Sequence, residues 1–328
     1  MKQEPNSIVT HNDFDGVGSA AICAWAFDIE SVRFAGPMTI SRAEIPITKA
    51  DIVCDLPYPL ECGMWFDHHA GNLDEVKLRG IDATTIPGRF APELSCVRVI
   101  CNYFSENDEL PDDFAKLADA ADAIDSFSYR DIDDWRRETA AKRIDWAIKA
   151  SASSAREQHD FLRELVFLLR DSSMEEVAEQ PEVIARAVRY REEEADMLEK
   201  IQSHARFLDE DTARELVIID LTKLRVPVHV DKKLAGLIFP EAKGFVELKP
   251  VFRQGQKAHD ISVSLSLALP MQHQSHPKNM GEIVRTMNLG DGHIGAAAGL
   301  RRCESGSESH RAKDEILKEI WRLWSEQK

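Results

Sequence analysis

Asp67-His68-His69 closes a short apolar run, Gly63-Met64-Trp65-Phe66, and two further acidic segments close runs of the same kind. Ser7-Ile8-Val9-Thr10 leads into His11-x-Asp13-x-Asp15-Gly16, and Asp51-Ile52-Val53-Cys54 leads into Asp55. Short apolar runs alternating with helical patterns over residues 7–125 mark βαβ units and a mostly parallel sheet. Strands of such a sheet deliver the side chains at their C-terminal ends to one edge, where ligands bind. Carboxylates and imidazoles converging there suit a pair of hard-to-borderline divalent ions, Mn²⁺ first and Mg²⁺ or Co²⁺ as alternatives. In His-x-Asp-x-Asp the period of two keeps residues 11, 13 and 15 on one side. Gly16 then lets the backbone turn closely and start a helix.

The 328 residues have room for one large or two ordinary domains. A hydrophobic content of 43% with 30% charged residues describes a soluble globular chain. Met1-Lys2-Gln3-Glu4-Pro5-Asn6 lacks the apolar core of a signal peptide, and no apolar run approaches the ~20 residues of a membrane span, so a cytoplasmic location is expected. Six cysteines without a C-x-x-C pair read as reduced, mostly buried hydrophobes. The net charge of −16 is uneven: residues 1–205 carry 22 Lys and Arg against 40 Asp and Glu, residues 206–328 carry 19 against 17. That balance disfavours tight nonspecific binding of long duplex nucleic acid, which depends on neutralising phosphates. It still admits a short anionic substrate, because bound cations would cancel charge locally.

The expected fold class is α/β with two domains. Residues 1–206 carry a mostly parallel sheet flanked by helices, with 138–206 as a helical connector whose longest helix opens at Pro181. A polar linker, Phe207–Asp211, precedes a smaller α/β domain over 212–328. Strands are expected at Leu216–Ile219, Gly244–Val251 and Ile261–Leu269. Helices are expected at Lys232–Phe239, Met280–Met287 and 310–326.

With these motifs in this order, the chain resembles the DHH phosphoesterase superfamily over essentially its whole length. That group includes RecJ exonucleases, family II pyrophosphatases, bacterial oligoribonucleases and cyclic-dinucleotide phosphodiesterases. The resemblance implies that residues 1–206 form a catalytic metal-binding domain and 212–328 a substrate-binding domain. It implies His11 and Asp13 on the first metal, Asp15 and His68 on the second, and Asp55 bridging both. A last aspartate falls within Leu117–Asp125: Asp122 is taken as the ligand, Asp125 is its rival, and Asp119 is a weaker one. Asp67 is read as orienting an imidazole from beside the ligands. His69 is then left to touch a phosphate oxygen.

Gly290-Asp291-Gly292-His293-Ile294-Gly295-Ala296-Ala297-Ala298-Gly299 contains the string G-x-G-x-x-G, but no opening βαβ unit surrounds it, so a dinucleotide-cofactor reading is rejected. It is read instead as a loop leading into a helix N-terminus, an anion site. It resembles the Gly-rich motif of the DHH-associated C-terminal domain. Gly292, His293 and Gly295 would then line the substrate, His293 would meet the scissile phosphate, and Arg301 or Arg302 its other charges. Ser262–Leu267 lacks the arginine that the family often carries there; Lys232, Lys233, Lys249 and Arg253 are open substitutes. His273-x-x-His276 reads as a loop insertion and not as a metal site.

The resemblance therefore implies a Mn²⁺-dependent phosphoesterase that opens a short nucleotide-type phosphodiester or phosphomonoester with water activated by two metals. Its expected partner is a small anionic phosphate compound, a dinucleotide or short oligonucleotide, with no membrane and with self-association left open. An exopolyphosphatase or pyrophosphatase activity on phosphoanhydrides is one alternative, and a non-catalytic scaffold of the same fold is the other.

Overall fold

In the computed structural model, residues 5–106, 110–272 and 275–328 are described; His273 lies outside them. The chain divides into two compact units. One comprises Met1–Ser128 with Arg137–Glu193, the other Tyr129–Arg136 with Glu194–Lys328.

The first unit is built on five parallel strands: β1 (Ser7–Thr10), β2 (Val32–Phe34), β3 (Asp51–Cys54), β4 (Met64–Asp67) and β5 (Gly88–Phe90). Their spatial order is β2-β1-β3-β4-β5. Alternation along each strand feeds two cores. Ile8, Ile52, Cys54 and Phe66 join one, Val9, Val53 and Trp65 the other, so the sheet is covered on both faces as a parallel sheet must be. The helix Phe14–Phe27 is buried from Phe14 to Ala24, and its small residues let it lie close to its neighbours. Order reverses between β1 and β3, the switch point where the loops part and leave a crevice. The first loops past that point begin with His11 and Asp55.

The second unit holds a mixed sheet of β6 (Ala205–Arg206), β7 (Leu216–Asp220), β8 (Gly244–Arg253), β9 (Gln256–Leu267), β10 (Gly290–Gly292) and β11 (Ala296–Arg301). Their spatial order is β10-β11-β9-β8-β7-β6. One face, with Leu216, Ile218, Val246, Leu248, Val263 and Leu265, forms a core with Met280, Ile283 and Val284 and with Ile316, Ile320 and Trp324 of the C-terminal helix Gly306–Glu326. β8 and β9 run longer than their apolar patterns suggest. Gln254 (φ 49°) and Gly255 (φ 77°) form a two-residue hairpin loop between them, and such loops match the strand twist.

The glycine-rich segment differs from the sequence expectation. It does not enter a helix; it is a hairpin from β10 to β11. The glycines explain why: a Cβ on Gly290 would stand 2.2 Å from the Ala298 oxygen, and one on Gly292 2.3 Å from the Ala296 oxygen. Close backbone approach thus takes precedence over the helical propensity of Ala296–Ala298. Among the described residues, no helix is long and apolar enough to cross a membrane.

Candidate metal centre

Three strand ends build the centre. β1 ends at Thr10, whose hydroxyl donates to the Gly16 carbonyl at 2.7 Å and closes the His11–Asp15 loop onto the helix it starts. Asp13 caps that helix by accepting from the Gly16 N–H at 2.9 Å, and its other oxygen lies 2.7 Å from His11 Nδ1. A Cβ on Gly16 would fall 2.2 Å from the His11 oxygen, so only glycine lets the loop fold back so tightly. β3 ends before Asp55, which has a left-handed backbone with φ 56°. Non-glycine residues seldom adopt it, and such strain gathers at functional sites. β4 ends at Asp67, followed by both histidines.

Three overlapping groups of ligand atoms, each within 4.8 Å, result: His11, Asp13 and Asp55; Asp15, His68 and Asp125; and Asp55, His68 and His69. The His68 ring shows what the arrangement lacks. Its Nδ1 meets the Glu93 carbonyl at 3.1 Å, which puts the Nδ1 proton there and turns Nε2 inward. Around Nε2 stand Asp55 Oδ1 at 3.5 Å, Asp15 Oδ2 at 3.6 Å and Asp125 Oδ2 at 3.8 Å. Yet Nε2 and Asp55 Oδ1 are buried without a hydrogen-bond partner. Ligands about 2.1 Å from a six-coordinate cation lie about 3 Å apart when adjacent and about 4.2 Å apart when opposite. The spacings of 3.5–3.8 Å are long for hydrogen bonds and lie between those two values, so these residues fit divalent metal.

The electrostatics agree. Burial, then the nearby Asp55 charge, pushes the Asp15 carboxyl well above its usual range. Burial likewise raises Asp125. Burial would lower His68, but Asp55 and Asp15 carry it up to about 11. His69 is lowered by burial and raised more by Asp67, to about 9. Asp55 itself, despite burial, is held well below the usual carboxylate range by His11 and His68. Without a cation the cluster must retain protons to balance its charge.

Asp67, fully buried, accepts from Asn72 Nδ2 at 2.8 Å and holds His69 Nδ1 at 2.9 Å. It orients an imidazole, that of His69. Asp122 requires a correction. Its carboxylate is occupied by Ser95 Oγ at 2.6 Å and Arg98 Nε at 2.9 Å, and it joins none of the three groups; Asp125 does. Asp119, Asp122 and Asp125 follow one another by a turn along the helix Asp112–Asp125. Arg98, on the helix Cys96–Ser105, ties down the first two, and the last reaches the cluster. Sequence reasoning also missed Glu93, Asn72 and Ser95, which act through a backbone carbonyl, an amide and a helix cap; only Ser95 leaves a local signal, as a serine opening an apolar helix.

In the second unit, His293 lies at the turn after β10. Its Nδ1 accepts from the Gly295 N–H at 3.1 Å, and its carbonyl accepts from the Gly281 N–H at 3.0 Å. Gly292 ends β10, and the Gly295 carbonyl accepts from Leu267 N–H at 2.8 Å. Arg301, the last residue of β11, and Arg302 beside it are exposed.

These features define a two-unit α/β protein with an Asp/His centre at the carboxyl edge of a parallel sheet. No protein-family model matches the sequence, and no curated protein matches it. Solved structures do. The pGpG-specific phosphodiesterase PggH from Vibrio cholerae matches with a TM-score of 0.67 at 20% identity, over 96% of this chain and 98% of its own. The DHH domain of a protein described as a member of a ribosomal-protein family matches with a TM-score of 0.59 at 14% identity, over 98% and 86%. RecJ from Thermus thermophilus, solved with Mn²⁺, matches at 0.52 and 13% identity, over 99% of this chain and 52% of that one. The chain has the fold of the DHH superfamily.

Proposed function

We propose that this protein is a phosphoesterase that uses two divalent ions, Mn²⁺ first, to hydrolyse a short nucleotide-type phosphate ester. The carrying observation is the pair of buried, unpartnered atoms, Asp55 Oδ1 and His68 Nε2, at the centre of three His/Asp groups. His11, Asp13 and Asp55 would hold one ion; Asp15, His68 and Asp125 the other, with Asp55 shared because it lies beside His68 as well. Bound cations would supply positive charge for phosphoryl oxygens and acidify a nearby water.

The chain's own residues have separable tasks. Glu93 and Asp67 fix the two imidazole orientations. His69, raised to about 9, is protonated at neutral pH; with Nδ1 engaged by Asp67, its Nε2–H is the donor offered to a phosphoryl oxygen. His293, whose Nδ1 accepts from the Gly295 N–H, is assigned to the scissile phosphate on the family resemblance alone. Arg301 and Arg302 are assigned to the substrate's remaining charges. The acidic balance of residues 1–205 suits a small, metal-neutralised substrate over long nucleic acid.

PggH is named as specific for pGpG, which supports a nucleotide substrate. A Mn²⁺ assay across dinucleotides, adenosine bisphosphate, cyclic dinucleotides, single-stranded DNA and polyphosphate tests this reading. Turnover of a dinucleotide that EDTA and Asp55→Asn abolish is expected. Preferential turnover of polyphosphate, or none of any substrate by the Mn²⁺-loaded chain, overturns it.

A further inference from the structure

In the second unit a cavity of about 320 Å³ opens beside β6, the edge strand of the sheet. Two segments line it. Asp314, Leu317, Lys318 and Trp321 follow one another by one to four residues along the helix Gly306–Glu326 and form one stripe. Arg206, Leu208 and Glu210 alternate along the chain leaving β6, while Phe207 between the first two packs against the Phe239 ring and the Arg214 guanidinium instead. Leu317 is buried, and Leu208 and Trp321 are half-buried against the same core. Arg206, Glu210, Asp314 and Lys318 are exposed. The cavity therefore has an apolar floor, a charged rim and a way in from solvent.

Two cations and two carboxylates share that rim without pairing. Asp314 and Lys318 are four residues apart with the acid first, the orientation that best favours a helical ion pair. On the same helix Arg322 holds both Glu319 and Glu326 at 2.6 Å. Among the described residues, however, none of the four rim side chains has an ion pair or a side-chain hydrogen bond. Each charge stays available, and each sign is supplied by both walls. The volume falls within the range of small-molecule sites, about 300–1,000 Å³.

We propose that this cavity binds a free aromatic α-amino acid as its zwitterion. Arg206 and Lys318 take the carboxylate, Glu210 and Asp314 take the ammonium, and the ligand's ring rests on Trp321 over Leu208 and Leu317. The charge balance selects this class. A nucleotide phosphate brings negative charge against two carboxylates, and a polyamine brings positive charge against two cations. An uncharged ligand leaves all four groups unmatched. None of these residues belongs to the Asp/His centre, so the site stands independently of the proposed function.

The test is isothermal titration calorimetry of the full chain with L-phenylalanine, its amide, its N-acetyl form and guanosine monophosphate. L-Phenylalanine is expected to bind about tenfold more tightly than the amide, which lacks the carboxylate, or the N-acetyl form, which lacks the ammonium. Lys318→Gln and Asp314→Asn, both at exposed positions, should each weaken L-phenylalanine about tenfold with the melting temperature unchanged. The two variants should part on the analogues: Lys318→Gln leaves the amide's affinity as it was, and Asp314→Asn that of the N-acetyl form. Equal binding of the three phenylalanine compounds, or no saturable binding of L-phenylalanine, overturns the proposal. So does L-phenylalanine binding that neither variant alters, or guanosine monophosphate binding that Lys318→Gln weakens, which would make the cavity a phosphate site.

Discussion

Asp15 and Cys96 meet across 80 intervening residues: the Cys96 N–H donates to Asp15 Oδ2 at 2.7 Å, and the Val97 N–H donates to Oδ1 at 2.9 Å. A carboxylate of the Asp/His cluster is thus seated on the N-terminus of the helix Cys96–Ser105, where free amides favour negative charge. Ser95 caps that helix and its hydroxyl donates a hydrogen bond to Asp122, which Arg98 also grips. Asp122 therefore acts on the cluster through the helix that holds Asp15.

Asp125→Asn and Asp122→Asn should separate on this basis. Removing Asp125 takes away a ligand, and calorimetry should show one Mn²⁺ site lost. Removing Asp122 loosens the seat of Asp15, and both sites should remain with affinity reduced about tenfold, as for other groups that orient ligands. Loss of a site in Asp122→Asn with both retained in Asp125→Asn would reverse the assignment.

Metal affinity should climb with pH. His68, raised to about 11 in the metal-free protein, must release its proton before Nε2 can bind a cation. Each proton released steepens the rise by about tenfold per pH unit. The same shift sets stability. A folded pKa raised above the ordinary 6.5 contributes stability that is complete below about 6.5 and is lost as pH rises toward about 11. The metal-free chain should accordingly melt at lower temperature at pH 9 than at pH 7, and Mn²⁺ should close the gap. Affinity that stays flat from pH 6 to pH 8 would contradict this.

Gly16→Ala tests the close approach of the first loop. A methyl group 2.2 Å from the His11 oxygen must push the loop off the helix, because both sides are backbone. Urea unfolding should show a loss of about 1–3 kcal/mol, and the site using His11 and Asp13 should weaken with it. An unchanged unfolding midpoint would mean the loop relaxes freely.

Asp67→Asn should act on His69 alone. Without its charged partner the imidazole returns toward its ordinary pKa and loses its proton near neutrality, so turnover should fall at pH 8 more than at pH 6. NMR titration of the His69 ring reads the shift directly. A His69 ring that still titrates near 9 would contradict it.

The strand ends were legible because each apolar run stops at a carboxylate or imidazole, and a period of two needs no tertiary knowledge. Choosing between Asp122 and Asp125 was not. Both lie on one helix face, and only the path of Arg98 from a neighbouring helix decides which stays available. The Gly290–Gly299 segment misled for a related reason: its alanines favour helix locally, whereas β9 supplies a full set of pairing partners from Ile261 to Ser266.

The central claim is that the Asp/His cluster holds two cations, with Asp55 shared between them and His68 on one. Electron paramagnetic resonance of the chain titrated with Mn²⁺ tests it most directly, because two ions about 3.5–4 Å apart couple magnetically. The expected result is two bound Mn²⁺ per chain with a coupled spectrum, replaced in Asp55→Asn by weaker, uncoupled binding. A chain that binds no Mn²⁺, or binds it with no change on losing Asp55, would contradict the account.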